Sequence, residues 1–273
     1  MSTSTAAPES IHDPQPDPYV ALVQTYDAET GDMRDDLAAF HTLARRFGGP
    51  VLDVGCGTGR VAFDLAEQGY AVVGVDVSAP MLERARQRAA SENVGEDRIR
   101  WLEADITTLA LDDRFGLAVF AYNGFMHLLE QSAQQAALAH IAGHLRPGGG
   151  LALDLPNPVE MFRAENTPGL VLERIFDDPQ TGEQVMQQSL ASVDRAEQIL
   201  SVTWIYDRIG ADGVVRRHIA PVRLRYTMAA ELRLLLAGAG FERVALYGDY
   251  DFAEYTEDSP RLLAVAETRK AAS

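Results

Sequence analysis

The sequence predicts a doubly wound α/β fold with an antiparallel β meander inserted near its end. Three observations predict it. Short β-branched runs alternate with helical patterns from residue 50 to about 155. Those apolar runs are continuous rather than alternating, as in parallel strands covered on both faces. After Pro158 the helical periodicity gives way to strand-like segments parted by turn sequences. A β-α-β-α order implies parallel strands joined by right-handed crossovers.

The opening "MSTSTAAPESIHDPQPDP" is rich in Pro, Ser and Asp and predicts a disordered tail over residues 1–18. It shows no basic region followed by an apolar stretch, so no secretory signal is read there. Residues 19–49 read as an N-terminal helical arm that ends in a lead-in helix, "DDLAAFHTLARRFGG". The α/β core then occupies 50–169. Its strands are "PVLDVG" (50–55), "YAVVGVDV" (70–77), "RIRWLEADI" (98–106), "FGLAVFAY" (115–122) and "GLALDLP" (150–156). Thr58 is placed as the N-cap of a helix over Arg60 to Glu67, and Ser78 as the cap of the next, with Pro80 tolerated in its first turn. A third helix runs from Gln134 to Leu145 and stops at "RPGGG" (146–150), where Pro and Gly forbid continuation.

Residues 170–226 read as the meander, with turns at "DDPQTG", "DRAE" and "GADG". Val202, Trp204 and Tyr206 alternate along one strand and supply an apolar face. Residues 227–270 complete the core: Thr227 caps "MAAELRLLLAGAG", and "FERVALYG" and "RLLAVAETR" add two strands to the five.

The chain has 273 residues, is 47 % hydrophobic and carries a formal charge of −16, from 24 Lys plus Arg against 40 Asp plus Glu. Such a field repels polyphosphate and argues against nucleic acid as a partner, favouring a small neutral or cationic substrate. No apolar run reaches the roughly 18 residues of a membrane-spanning helix. A single cysteine, Cys56, leaves no intrachain disulfide and fits a reducing compartment, the cytoplasm.

The chemistry concentrates in "VLDVGCGTGR", residues 51–60, where a strand, a Gly-rich turn and a helix N-terminus bring backbone up to a ligand. The spacing Gly55-x-Gly57-x-Gly59 is followed by Arg60, where a dinucleotide fingerprint needs a small residue. The P-loop pattern is absent as well. Asp76 ends the second strand, where an acidic side chain accepts hydrogen bonds from ribose hydroxyls. Asp105 ends the third, within reach of an adenine amino group. All lie at the carboxyl ends of successive strands, where open α/β sheets bind ligands.

On these residues the sequence resembles the class I S-adenosylmethionine-dependent methyltransferases. "VLDVGCGTGR" is similar to their first motif, "VVGVDVSAPML" to their ribose-binding segment, "ADI" to their adenine-binding segment and "HLRPGGGLALDL" to the turn before their fifth strand. The resemblance implies a Rossmann-like seven-stranded sheet with S-adenosyl-L-methionine as cofactor. It further implies that Gly55, Cys56, Gly57 and Gly59 line the methionine and ribose, that Asp76 holds the ribose, and that Val77, Met81, Asp105, Ile106 and Tyr122 border the nucleoside. "AYNGFMHLLE" (121–130) resembles the "N-x-F-x-H-L" segment of glycine N-methyltransferase-like enzymes, and aminosugar N,N-dimethyltransferases are comparably similar. The catalytic candidates are accordingly Asn123, to hydrogen-bond the acceptor, and His127, to orient it or take its proton. In such enzymes an N-terminal arm covers the cofactor, which implies a lid role for Tyr26 and a carboxylate-binding role for Arg34 of "GDMR".

The function expected is methyl transfer to a small-molecule acceptor, at an amine nitrogen, by in-line displacement. The alternatives are a nucleotide-linked oxidoreductase of Rossmann type and a non-catalytic S-adenosylmethionine-binding protein. His140 and His144, four apart on a helix, read as a solvated face, with no metal expected. The meander is expected to roof the acceptor pocket or to pair with a second copy as a homodimer.

Overall fold

Strand β1 (Val51–Val54) is buried at every position, as a central parallel strand must be when helices cover both faces. It pairs in parallel with β2 (Val72–Asp76) on one side and β4 (Phe115–Phe120) on the other. The computed structural model describes residues 19–30, 33–167, 169–179 and 181–271. The tail expected over 1–18 lies outside them, as do Gly31 and Asp32 of "GDMR".

Among the described residues a seven-stranded sheet takes the order β10-β11-β5-β4-β1-β2-β3, with β3 (Ile99–Glu103), β5 (Leu145–Pro156), β10 (Phe241–Tyr247) and β11 (Arg261–Thr268). β11 runs antiparallel to both β5 and β10, which closes the sheet on the resemblance's pattern. Helices α2 (Leu37–Phe47) and α3 (Arg60–Glu67) cover one face through Phe40, Leu43 and Phe63. Helices α5 (Gln131–His144) and α7 (Ala229–Gly238) cover the other through Leu138, Ile141, Leu232 and Leu236. The strand order reverses between β1 and β4, so a ligand crevice opens where the carboxyl ends of β1, β2 and β4 diverge.

A separate antiparallel sheet, β6-β7-β8-β9, comprises Val171–Asp177, Gln184–Asp194, Ile199–Ile209 and Val215–Arg225. Tyr206, Val202 and Trp204 share its inner face, and Tyr206 packs there with Val185 and Ala220. Helix α1 (Tyr19–Thr30) joins the two sheets. Its Asp27 pairs with Arg84 of α4 (Ala79–Ser91) at 2.8 Å, and its Glu29 accepts from Tyr206 Oη (2.8 Å), Gln187 Nε2 (3.1 Å) and the Arg174 guanidinium (2.8 Å).

Several local expectations are corrected. The caps are Gly59 rather than Thr58 and Met228 rather than Thr227; the Thr227 hydroxyl instead accepts from Gln134 Nε2 at 3.2 Å. The helix does stop before "RPGGG", but that segment already belongs to β5, which begins at Leu145 rather than at Gly150; its glycines let the strand pass under α2, since a Cβ on Gly150 would lie 2.5 Å from the Phe47 ring. β3 ends at Glu103 and leaves Asp105 on the loop beyond it. A short helix unseen in the periodicity, α6 (Pro158–Arg163), is started by Asn157, whose Oδ1 accepts from the Val159 N–H. His144 is buried, not solvated: its Nε2 accepts from the Leu111 N–H (2.9 Å), so Nδ1 carries the proton it donates to His140 O (2.6 Å). That neutral, doubly bonded ring pins α5 to the neighbouring loop.

Candidate functional site

The glycine loop is shaped by positive φ at Gly55 (64°), Gly57 (55°) and Gly59 (89°), conformations that side chains with a Cβ rarely adopt. Gly59 is doubly constrained, since a Cβ there would lie 2.4 Å from the Trp101 ring. The loop N–H groups point inward. Gly55 and Cys56 donate to Val75 O (2.8 and 3.1 Å), Gly59 to Cys56 O (2.9 Å) and Gly57 to Asp76 Oδ2 (2.7 Å). These four donors are engaged within the chain and are not free for a pyrophosphate. Cys56 is buried beside it, with its thiol pushed well up by burial, so it remains a protonated packing group.

Asp76 is oriented by its second oxygen as well, which accepts from the Ser78 N–H at 2.8 Å. A carboxylate has about four lone-pair sites, so this anchoring is compatible with ribose hydroxyls as further donors. Val77, next in the chain, stands 66 % exposed, while Met81 and Ile106 are buried. Asp105 is exposed, and its Oδ1 accepts from both the N–H and the hydroxyl of Thr107 at 2.8 Å.

Beneath the loop lies a group that sequence reasoning missed. Asp53 of β1 is 2 % exposed, and its Oδ2 has no hydrogen-bond partner among the described residues. Burial raises its carboxyl to about 7, with Arg60 pulling down, Asp76 pushing up and a hydrogen bond from Ala62 opposing. Its signal was an acidic residue inside an otherwise apolar buried strand. An orphan carboxylate oxygen under a glycine loop fits the ammonium of an S-adenosylmethionine amino acid moiety, the observation that makes these residues suit that cofactor.

The N-terminal segment closes over this loop. The Tyr26 ring stands 3.8 Å from where a Gly57 Cβ would be. Arg60 holds the segment down: its guanidinium grips Asp36 in two parallel bonds (2.6 and 2.5 Å) and donates to Met33 O at 2.9 Å. Arg34 is exposed and borders a cleft of about 630 Å³ together with Thr58, Arg60 and Arg84.

At the carboxyl end of β4, Tyr122 and Asn123 both take positive φ (46° and 66°) and lead into a short 3-10 helix, Gly124–His127. Tyr122, Asn123 and His127 are half-buried. The backbone twist at Tyr122 and Asn123 is held by Asp154 of β5, fully buried, which was not among the sequence candidates: its Oδ2 accepts from the Tyr122 N–H (3.1 Å) and its carbonyl from the Asn123 N–H (3.2 Å). Asp154 Oδ1 receives Nε (3.0 Å) and Nη2 (2.7 Å) of Arg261, and Oδ2 also receives the Tyr250 hydroxyl at 3.2 Å. Arg261 Nη2 donates onward to Asn123 Oδ1 at 3.1 Å. Burial pushes the Asp154 carboxyl up while Arg261 draws it back, and the saturated ion pair is the arrangement on which both settle.

Tyr122, Tyr206 and Tyr250 all have their phenol pKa raised by burial and then by a neighbouring carboxylate, Glu29 for the first two and Asp154 for the third. None is a ready base. The glycine loop and the turn over residues 122–127 thus lie at neighbouring strand ends of one sheet edge, Asp76 with Tyr26 on one side and Asn123 with His127 on the other.

A family model described as a methyltransferase domain matches residues 51–149. The chain is 34 % identical over 221 residues to the cypemycin N-terminal methyltransferase of a Streptomyces species, covering 81 % of this chain and 83 % of that one. It is 34 % identical over 160 residues to the glycine N-methyltransferase of Mus musculus, covering 52 % of this chain and 54 % of the relative. The solved structure of the CcbJ methyltransferase from Streptomyces caelestis matches with a TM-score of 0.74 at 28 % identity, covering 86 % of this chain and 95 % of that one. Motif, loop geometry and relatives agree: the chain belongs to the class I S-adenosylmethionine-dependent methyltransferases.

Proposed function

We propose that the protein methylates an amine nitrogen of a small-molecule acceptor by in-line transfer. The observation that carries the choice of nitrogen is the 34 % identity, over 81 % of this chain, to a relative named an N-terminal methyltransferase, together with the similarity to a glycine N-methyltransferase. A hydroxyl acceptor needs proton removal while it reacts, whereas a neutral amine attacks with its own lone pair. S-adenosylmethionine supplies a methyl group on a sulfonium, a leaving group already in place. The protein's contribution is alignment and exclusion of water, effects worth up to roughly 7 to 11 kcal/mol in oriented model reactions.

In this reading Asp53 holds the cofactor ammonium, Arg34 its carboxylate and Asp76 the ribose. Val77, Met81, Asp105, Ile106 and Tyr122 border the nucleoside, and Tyr26 lids it. Asn123 hydrogen-bonds the acceptor, and His127 takes the proton of the incoming ammonium. The similarity to a methyltransferase named for a peptide N-terminus favours a second acceptor class, the α-amine of a peptide. Nucleic acid is disfavoured by the net charge of −16, and the cytoplasm is the compartment that suits the buried free thiol of Cys56.

The test is methyl-labelled S-adenosylmethionine offered with glycine, glucosamine or trialanine, followed by mass spectrometry of the products. Label on nitrogen supports the reading; label on oxygen or carbon alone overturns it. Asp76→Ala is expected to weaken cofactor binding at least about a hundredfold, as loss of a charged hydrogen-bonding pair does, and unchanged affinity by calorimetry refutes the assigned site.

A further inference from the structure

We propose that Arg261, anchored by Asp154, is a positioning residue for the methyl acceptor that acts through the amide of Asn123. The proposal rests on the reading that Asn123 meets the acceptor. A guanidinium has only donors, so the Asn123 atom 3.1 Å from Arg261 Nη2 must be the amide oxygen. That contact fixes the amide's flip and reserves its Nδ2 amino group for the acceptor. Arg261 is itself immobilised: two of its nitrogens grip a carboxylate that is 0 % exposed. The same carboxylate receives the Tyr122 N–H and the Tyr250 hydroxyl, and the Asp154 carbonyl receives the Asn123 N–H. Backbone and side chain of Asn123 are therefore both set by one strand pair, β5 with β11, in which Arg261 lies opposite Pro156.

Sequence alone hides this device, because Asp154 and Arg261 are 107 residues apart. It also serves a purpose that stability does not require. A buried pair of this kind is weak evidence for stability, and an apolar pair of similar volume would serve the core as well. An apolar pair would leave the Asn123 amide free to turn.

The experiment is a double-mutant cycle of Arg261→Lys and Asn123→Ala, read with labelled methyl transfer to glycine, glucosamine and trialanine. Lys keeps the charge on Asp154 but cannot reach both partners. Each single variant is expected to raise the acceptor KM about tenfold, the worth of one charge-assisted hydrogen bond, with cofactor Kd within about twofold of wild type. The double variant is expected to be no worse than Asn123→Ala alone. Additive losses, or a cofactor Kd that shifts as far as the acceptor KM, overturn the proposal. If Asn123→Ala leaves the kinetics unchanged, the failure lies in the reading of Asn123 as an acceptor contact. Amide exchange over residues 121–127 in the same proteins reads the coupling with no acceptor present: faster exchange in Arg261→Lys supports it, and wild-type protection overturns it. Tyr250→Phe, which removes one donor from Asp154, is the milder variant should Arg261→Lys fold poorly, with a smaller rise in KM and the same non-additivity expected.

Discussion

Replacing Asp53 by Asn is expected to stabilise the cofactor-free protein above neutral pH and to remove the pH dependence of cofactor binding. The carboxyl moves from 3.8 to about 7 on folding, chiefly through burial. A raised pKa means that the folded state holds the proton more tightly than the unfolded one. Below pH 3.8 there is no penalty; stability is lost as pH rises from there, and above about 7 the loss is complete. Three units at 1.36 kcal/mol each make the full penalty about 4 kcal/mol. Asn keeps the shape and an oxygen for the Ala62 N–H without the charge. At pH 8 its melting temperature is expected to exceed wild type by about 10 °C, and at pH 5 by less than half of that. An ammonium placed against Asp53 needs the ionised form, so the wild-type Kd for S-adenosylmethionine should fall nearly tenfold per pH unit between about 5.5 and 7 and then level. Calorimetric titrations across that window are the assay. A wild-type Kd that stays flat, or an Asn variant that binds as tightly at pH 7.5, refutes the reasoning.

Gly59→Ala introduces a Cβ at φ 89° and 2.4 Å from Trp101, and is expected to cost about 2 to 4 kcal/mol in a urea melt, with cofactor affinity falling alongside. Tyr206→Phe removes the hydroxyl that donates to Glu29 and accepts from Gln187, and should lose about 1 to 2 kcal/mol and expose α1 to proteolysis first; unchanged protease resistance would deny that the small sheet holds the arm. Leu172, Ile175, Leu190 and Ile219 stand 43 to 55 % exposed on the outer face of the small sheet, and the expected homodimer would cover them. Light scattering at rising concentration tests it, and a constant monomer mass is the contrary result.

The α/β core was legible because its signals are local. Continuous apolar runs mark β1, β2 and β4, and the glycine spacing with Arg60 separates this loop from a dinucleotide fold within ten residues. The meander was legible too, through its turns and the alternation of Val202, Trp204 and Tyr206. What escaped depends on contacts between distant residues. Asp53 reads as one polar letter in a strand until its burial is known, and Asp154 reads as ordinary until Arg261 closes on it from the other end of the core. The caps failed for a different reason. Thr58 and Thr227 have the right side chains, but Gly59 and Met228 hold the capping backbone positions, and the Thr227 hydroxyl meets Gln134 instead.

The two halves of the site are completed to different degrees, and the difference has a measurable consequence. On the proposed acceptor side the charged groups are paired within the chain, Asp154 by Arg261, Tyr122 and Tyr250, and Arg261 also takes the Asn123 amide oxygen, which leaves only the Asn123 amino group for the acceptor. On the cofactor side Asp53 keeps an oxygen without a partner among the described residues and carries a penalty of about 4 kcal/mol at neutral pH. A cationic ligand reaching that oxygen relieves a cost that the free protein bears, so cofactor binding is coupled to the stability of β1 and the loop above it. An amine arriving at Asn123 relieves nothing of the kind. S-adenosylmethionine is therefore expected to raise the melting temperature more at pH 8 than the free-ligand relation fitted at pH 5.5 would give, because its Kd tightens with the ionisation of Asp53. In Asp53→Asn that extra rise should vanish while the acceptor-side exchange protection of residues 121–127 stays as in wild type. Loss of both together would show that the halves are not separately built.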